Sequence, residues 1–464
     1  RDDPDQPGQQ PVGGHAHVGV GGGRQDGVIL KFSDNLSNLL FSSFFGGSGS
    51  DACFVLSINP LTGNVYIAGG TTSTDLPGNK AGVITPAFQG GVTDGFITEI
   101  QPDGLGIIKT TYAGTSGADL IYGIQFDKLG FPYITGTTTG NWPVLNAAFS
   151  NPGSKQFITK LKDDLSSIIY STTFGTVSSI PNISITAFLV DRCQNVYVSG
   201  WGGNFNNQRG YPCAGTAGMS VTANAIKSIT DGKDFYFFVL EKNAQRQLFG
   251  SFFGQNNGFD DHVDGGTSRF DANGVIYQAI CANCGKDVFF PTTPGAWSGT
   301  NGSSNCNEAC VKIEMNFTGI GASIRASIDG IIDTVGCVPL TVRFVDTLAK
   351  GKKYLWNFGD GTPPTSNDLI TFAPDNSTSH LYNNVGTYLV RVIAIDSATC
   401  NIVDTAFITV KVGNNIVVPK FNPVKLPPCT NLTFSFTNTT TATAPRYTPQ
   451  TFLWDFGDNS PKQR

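Results

Sequence analysis

Four times between Asp26 and Asn316 the chain passes through the same order of short segments, and this recurrence limits its fold more than any other feature. Each copy opens with an alternating strand: Val28-Ile29-Leu30-Lys31-Phe32, Phe96-Ile97-Thr98-Glu99-Ile100, Phe157-Ile158-Thr159-Lys160-Leu161 and Phe237-Phe238-Val239-Leu240-Glu241, with a fifth such strand at Val311-Lys312-Ile313. An aromatic strand ending in glycine follows, at Phe44-Phe45-Gly46, Tyr112-Ala113-Gly114, Thr173-Phe174-Gly175 and Phe252-Phe253-Gly254. Those glycines are 68, 61 and 79 residues apart. A third strand then leads through a turn to a fourth, as in Gly63-Asn64-Val65-Tyr66-Ile67-Ala68-Gly69 and Gln194-Asn195-Val196-Tyr197-Val198-Ser199-Gly200. Excursions such as Thr85-Pro86-Ala87-Phe88 and Phe290-Pro291-Thr292-Thr293-Pro294-Gly295-Ala296-Trp297 set the variable repeat length.

One four-stranded meander cannot bury both of its faces, whereas successive meanders packed around an axis cover each other. The period therefore predicts a β-propeller-like array, although a β-solenoid or a stack of unrelated hairpins would repeat in the same way. Composition agrees with an all-β chain: charged residues make up only 14%, and 56 glycines suit tight turns between short strands. At 464 residues the chain exceeds one ordinary core. We divide it into a Gly- and Pro-rich linker or loop at 1–25, a repeat array of at least four blades at 26–320, and two further modules at 321–413 and 414–464.

The frame Asp94-Gly95-Phe96-Ile97-Thr98, taken with Gly63 to Gly69 and the Gly70-Thr71-Thr72-Ser73-Thr74-Asp75-Leu76-Pro77 that follows, resembles the SBBP repeats of large secreted bacterial proteins. After Gly321 the pattern changes to a sandwich-like alternation at Leu340, Val342 and Phe344, followed by Tyr354-Leu355-Trp356-Asn357-Phe358-Gly359-Asp360-Gly361-Thr362. A second half follows at His380-Leu381-Tyr382 and Gly386-Thr387-Tyr388. Together these segments resemble a PKD domain, an immunoglobulin-like β-sandwich. Alternation places Trp356 and Phe358 in the core, and Gly359-Asp360-Gly361 supplies a turn that needs permissive backbone angles. From Pro423 the opening recurs through Leu432, Phe434 and Phe436 to Phe452-Leu453-Trp454-Asp455-Phe456-Gly457-Asp458, which reads as a second, truncated PKD module. A half sandwich would expose its inner face.

Ten cysteines in a β-rich chain point to an oxidising compartment. The resemblance places Cys337 and Cys400 on neighbouring strands of the complete PKD domain, and a bond between them would stabilise it by roughly 4 kcal/mol in the chain-entropy model. Cys281, Cys284, Cys306 and Cys310 have the close pairing that holds tetrahedral zinc. In an exported chain, disulfides among these four, or with Cys193 and Cys213, are the competing expectation. His15 and His17 lack further ligands, and Asp360 lacks the clustered carboxylates of a calcium site.

No histidine sits beside a familiar nucleophile setting. Asp260-Asp261-His262-Val263-Asp264 is the best candidate for acid-base or metal chemistry, but it follows a glycine-rich turn and is expected to be a solvated loop. Catalytic residues and cofactors are therefore not expected within these residues. Trp142, Trp201 and Trp297 are candidate glycan-stacking platforms, with core packing as the alternative. The triplets Asp333-Thr334-Val335, Asp346-Thr347-Leu348, Asp396-Ser397-Ala398 and Asp404-Thr405-Ala406 resemble the O-glycosylation sequon of exported Bacteroidota proteins, which makes Thr334, Thr347, Ser397 and Thr405 candidate acceptors.

A net charge of −5 without a basic block leaves no electrostatic footprint for nucleic acid. No apolar run has bilayer length. Lacking an initiator methionine and ending inside a motif, the chain reads as part of a longer polypeptide. Repeats ahead of PKD-like modules resemble the very large surface proteins of Bacteroidota, many with gliding-motility-associated or type IX secretion signals. This resemblance implies an extracellular or outer-surface protein acting in adhesion, gliding or surface assembly, with surface glycans, extracellular proteins or its own copies as partners. The alternatives are an accessory region of a secreted polysaccharide- or protein-degrading enzyme, or a glycan-binding propeller.

Overall fold

A computed structural model describes residues 25–203, 213–256, 261–263, 268–283, 290–315, 317, 319–362, 368–414, 417–430, 432–442 and 452–463. The linker expected at 1–25 and the histidines at 15 and 17 lie almost wholly outside them. Two units make up the chain, Arg1–Thr318 and Gly319–Arg464.

In the first unit, β1 (Gly27–Phe32) and β2 (Leu39–Phe45) pair as a two-stranded sheet. Three complete antiparallel meanders follow. The first comprises β3 (Asp51–Ile58), β4 (Val65–Thr71), β5 (Asp94–Ile100) and β6 (Ile107–Ala113). The second comprises β7 (Asp119–Phe126), β8 (Pro132–Thr138), β9 (Gln156–Leu161) and β10 (Ile168–Phe174). The third comprises β11 (Ser184–Val190), β12 (Val196–Trp201), β13 (Phe235–Leu240) and β14 (Gln247–Phe253). A three-stranded sheet of β15 (Ser268–Phe270), β16 (Val275–Ala282) and β17 (Asn307–Glu314) comes last.

Each hydrophobic cluster of this unit lies between consecutive sheets. Ile29 and Phe45 of the first sheet pack on Ile67, Phe96 and Tyr112 of the second. Tyr66 and Ile97 meet Ile121, Ile134 and Phe157; Tyr133 and Tyr170 meet Val198 and Phe238; Tyr197 and Phe237 meet Ile276 and Val311. Middle strands covered on both faces lose the polar alternation of a half-exposed sheet: β5, β8, β9, β12 and β13 are buried at every residue. Buried hydroxyls there satisfy one another, as Thr98 with Thr110 (3.0 Å) and Thr159 with Ser171 (2.8 Å). This is propeller-like packing, in which each sheet gains its second buried face from its neighbour.

The sequence repeat is out of phase with the sheets. Its opening strands are β5, β9 and β13, the third of each meander, so a copy begins at the third strand of one sheet and finishes at the second strand of the next. A period fixes the repeating unit and leaves its starting strand free.

The second unit forms a sandwich of two sheets. One has the order β19-β18-β21-β24, from β18 (Ile324–Ile328), β19 (Ile331–Ile332), β21 (Leu340–Asp346) and β24 (Ser377–Tyr382). The other has the order β20-β26-β25-β22-β23, from β20 (Val335–Cys337), β22 (Lys353–Asn357), β23 (Leu369–Phe372), β25 (Gly386–Ile395) and β26 (Val403–Gly413), with β20 parallel to β26. Alternation works as expected: Leu340, Val342 and Phe344 point into the core with Tyr354, Trp356 and Phe358, and Trp356 is fully buried. The Trp356 indole N–H donates to Thr371 Oγ1 (3.2 Å).

After the sandwich come β27 (Val417–Val418), β28 (Phe421–Lys425), β29 (Phe434–Asn438) and β30 (Thr441–Ala442), paired as β27–β30 and β28–β29. Every residue of β28 and β29 is exposed, as are Leu432 and Leu453. Phe421, Phe436, Trp454 and Phe456 cluster among themselves.

Candidate functional site

The first strands of four successive sheets, β3, β7, β11 and β15, line a cavity of about 470 Å³. Three of them carry a bulge at the same place, between Cys53 and Val55, Ile121 and Gly123, and Ile185 and Ala187. A bulge inserts one residue and re-aims its side chain. The inserted residues are Phe54, Tyr122 and Thr186, and all three line the cavity. Phe54 and Tyr122 stack with ring centres 5.5 Å apart. Gly123, next to Tyr122, has no room for a side chain: a methyl group there would lie 2.7 Å from Thr135 Cγ2 and 2.8 Å from Phe188 Cβ.

Gln125 braces the same wall. Its Nε2 donates to Phe188 O (3.0 Å), and its Oε1 accepts from the Val190 N–H (3.1 Å), so one amide joins the facing edges of β7 and β11. Arg269 on β15 adds a positive charge, and no carboxylate lines the cavity among the described residues. Aromatic faces, hydroxyls and one guanidinium can stack on and hydrogen-bond to a polar ligand. Tyr122, Gln125 and Arg269 were not singled out from sequence, although a glycine inside a strand pattern, here Gly123, is the usual mark of a bulge.

The tryptophan candidates separate. Trp142 is buried flat against Phe157, with ring centres 3.5 Å apart, and its N–H reaches Thr159 and Ser171. Trp201 is 1% exposed and belongs to the core between two sheets. Neither can stack on a glycan, because the repeat places both where neighbouring sheets cover them. Trp297 is fully exposed and keeps its candidacy.

The acidic segment also differs from the expected solvated loop. Asp261 is fully buried, its Oδ2 accepts from the Gln255 N–H (2.7 Å), and burial, then the nearby Asp234 carboxylate, pushes its carboxyl up to about 7. His262 is buried with its ring 5.6 Å from Trp201. Asp260 and Asp264 lie outside the described residues.

Cys337 and Cys400 are not joined. Cys337 is a free thiol and Cys400 is disulfide-bonded. Cys337 pairs with Gly413 at the far end of β26, whereas Cys400 precedes the near end at Val403. Eleven strand residues separate the two levels, roughly 30 Å, far beyond disulfide reach. The zinc set is broken too. Cys306 is disulfide-bonded and supplies no thiolate, Cys284 lies outside the described residues, and Cys281 and Cys310 stand two rungs apart on the β16–β17 ladder. Cys193 is also disulfide-bonded.

In the sandwich, His380 Nε2 lies 2.7 Å from Asp360 Oδ2, and its ring stacks on Phe358 with centres 4.0 Å apart. The Tyr382 hydroxyl donates to Phe358 O (3.0 Å), while Tyr388 stacks on Tyr382 and donates to Asn384 O (2.8 Å). These groups hold the turn together. Of the candidate glycan acceptors, Thr347, Ser397 and Thr405 are exposed and Thr334 is partly covered.

Comparison with known families bears on this unit. Residues 322–401 match the PKD domain. The curated proteins gave no match. Among solved structures, the chain is similar to the extracellular domain of a one-component system from B. thetaiotaomicron, at 11% identity and a TM-score of 0.24, covering 80% of this chain and 38% of that one. A polysaccharide lyase, the PL25 ulvan lyase, shares 12% identity over 77% of this chain and 78% of its own, at a TM-score of 0.29. An exo-β-1,3-galactanase from Phanerochaete chrysosporium shares 8% identity over 77% and 74%, at a TM-score of 0.24. No helix among the described residues is long and apolar enough to cross a membrane.

Proposed function

We propose that this chain is a non-catalytic, extracellular surface protein that binds glycans through its propeller-like unit and uses the PKD domain as a spacer. The observation that carries this reading is the cavity on the first strands, where three aligned bulges turn Phe54, Tyr122 and Thr186 inward beside Arg269. Aromatic faces stack on sugar rings, and a guanidinium pairs with an acidic substituent. Disulfides at Cys193, Cys306 and Cys400 support an oxidising location.

A role in adhesion, gliding or surface assembly, with export by the type IX route, rests on the resemblance of the repeats. Glycan-array binding by the whole chain, with hydrolysis and elimination assays on every glycan bound, tests the proposal. Binding without turnover, weakened at least tenfold by Tyr122→Ala or Arg269→Ala, is the expected result. Turnover of any bound glycan would favour the enzyme-accessory alternative, and array binding that both variants retain would move the site away from the cavity.

A further inference from the structure

The outer face of the β19-β18-β21-β24 sheet carries an open groove of about 480 Å³, lined entirely by residues of the second unit. Strand alternation builds it. Leu340, Val342 and Phe344 point into the core, so Thr341, Arg343 and Val345 point outward from β21. Ala326 is buried in the same core, so Arg325 and Ser327 share that outward face on β18. The register sets Ser327 opposite Arg343 and Arg325 opposite Val345. The two arginines are therefore diagonal neighbours on adjacent strands, with Cα atoms about 7–8 Å apart. Ile332 of β19 stands across from Ser327 on the other side, and Asp329 lies in the turn that joins β18 to β19.

Neither guanidinium is neutralised. Among the described residues no carboxylate lies within ion-pair distance of Arg325 or Arg343, and Arg343 has one long hydrogen bond, 3.4 Å, to Ser377 Oγ. Asp329 shares the lining and pairs with neither. Carboxylates are not scarce in a chain of net charge −5, and Arg391 of the opposite sheet holds Asp368 at 2.7 Å. Two like charges at the spacing of this diagonal lie within one Debye length at physiological salt and repel each other. An oxyanion between them removes the repulsion and accepts hydrogen bonds from both planar forks.

The rest of the lining narrows the anion. Ser327 and Thr341 supply hydroxyls that donate and accept, and Ile332 and Val345 supply aliphatic surface. Asp329, four residues beyond Arg325, accepts hydroxyl protons at its end of the groove and repels a second negative charge there. A nucleic acid or a polyphosphate carries a charge on every unit and meets that repulsion. An acidic sugar followed by a neutral one brings one carboxylate and several hydroxyls, which is the set this groove complements.

We propose that Arg325 and Arg343 form a second ligand site, on the PKD domain, that takes the uronate carboxylate of an acidic polysaccharide. The domain then contributes binding as well as spacing, and the site stands on residues other than those of the cavity holding Tyr122 and Arg269.

The test is calorimetric titration of the whole chain with hyaluronan oligosaccharides, in which uronate alternates with a neutral sugar, and with the same oligosaccharides methyl-esterified at their carboxyls. Wild type should bind the free acid, more weakly as salt rises, and bind the ester at least about tenfold more weakly, as expected for lost hydrogen bonds to a charged group. Joint replacement Arg325→Gln and Arg343→Gln should weaken the free acid to the same degree and leave the unfolding midpoint in place, because both side chains are exposed. The loss should be equal in a Tyr122→Ala background, which separates this groove from the cavity of the first unit. Asp329→Asn should strengthen binding of polygalacturonate, charged on every sugar, more than that of hyaluronan. Equal affinity for acid and ester, or full binding by the double variant, overturns the site. A polyglutamate peptide that binds more tightly than the oligosaccharides, and loses that binding in the double variant, would assign the arginines to an acidic protein instead.

Discussion

His380 Nε2 sits 2.7 Å from Asp360 Oδ2, and the imidazole lies flat on Phe358, so the two halves of the PKD motif are fastened at a single turn. Burial alone would raise the Asp360 carboxyl, but hydrogen bonds from Thr362 and His380 outweigh it and hold the group below its ordinary 3.8. A depressed carboxyl stabilises the fold above its unfolded value and loses that contribution as pH falls through its folded one. Asp360→Asn should cost about 2 kcal/mol at neutral pH, in the range of hydrogen bonds to charged groups. In urea titrations, the gap between variant and wild type should close as pH falls below the carboxyl's ordinary 3.8 and through its lowered folded value.

Gln125 is the second fastening, and it acts between sheets. Replacing it with leucine strands the Phe188 carbonyl and the Val190 N–H, each part of the β11 edge. The expected cost is about 1–3 kcal/mol. Amide exchange at Val190 should quicken more than exchange at residues of β13, which the substitution does not touch. Glutamate at 125 keeps the acceptor for Val190 and loses the donor to Phe188, so it should slow that exchange relative to leucine.

These two sites show what the sequence made legible. Alternation around Trp356 predicted the sandwich core correctly, because a strand with one buried face writes its orientation into every second residue. The repeat likewise announced the propeller-like packing. Its middle strands are covered on both faces, however, and carry no alternation to say which tryptophans are exposed, so Trp142 and Trp201 were open to a functional reading that burial removes. Bulges at Phe54 and Tyr122 depend on register with a neighbouring strand, which one sequence does not display. The Cys337–Cys400 expectation failed for a related reason: closeness in a domain diagram ignored the length of β26.

The cysteine assignment gives a direct chemical check. Alkylation of native protein without reductant should label Cys429 and Cys337 readily, since both are free and at least partly exposed. Cys53 should label far more slowly, because burial and then the Asp51 carboxylate push its thiol up to about 12, leaving almost no thiolate near neutrality. Cys193, Cys306 and Cys400 should appear in peptide mass spectra only after reduction. A disulfide-linked peptide containing both Cys337 and Cys400 would reverse the correction made above.

The two glycines of the PKD turn offer an internally controlled comparison. Gly359 and Gly361 both have positive φ, +78° and +84°, so a side chain at either position must adopt the left-handed region at about 1–2 kcal/mol. Only Gly359 is also confined: a methyl group there would lie 2.6 Å from Leu389 O and 3.0 Å from Leu389 N, both backbone atoms of β25 that cannot rotate away. At Gly361 the same methyl meets open space. Gly359→Ala should therefore shift the unfolding midpoint clearly further than Gly361→Ala, and the excess measures the contact with β25. Equal shifts would mean that backbone conformation alone selects glycine at both positions, and that the turn does not press against the strand carrying Leu389.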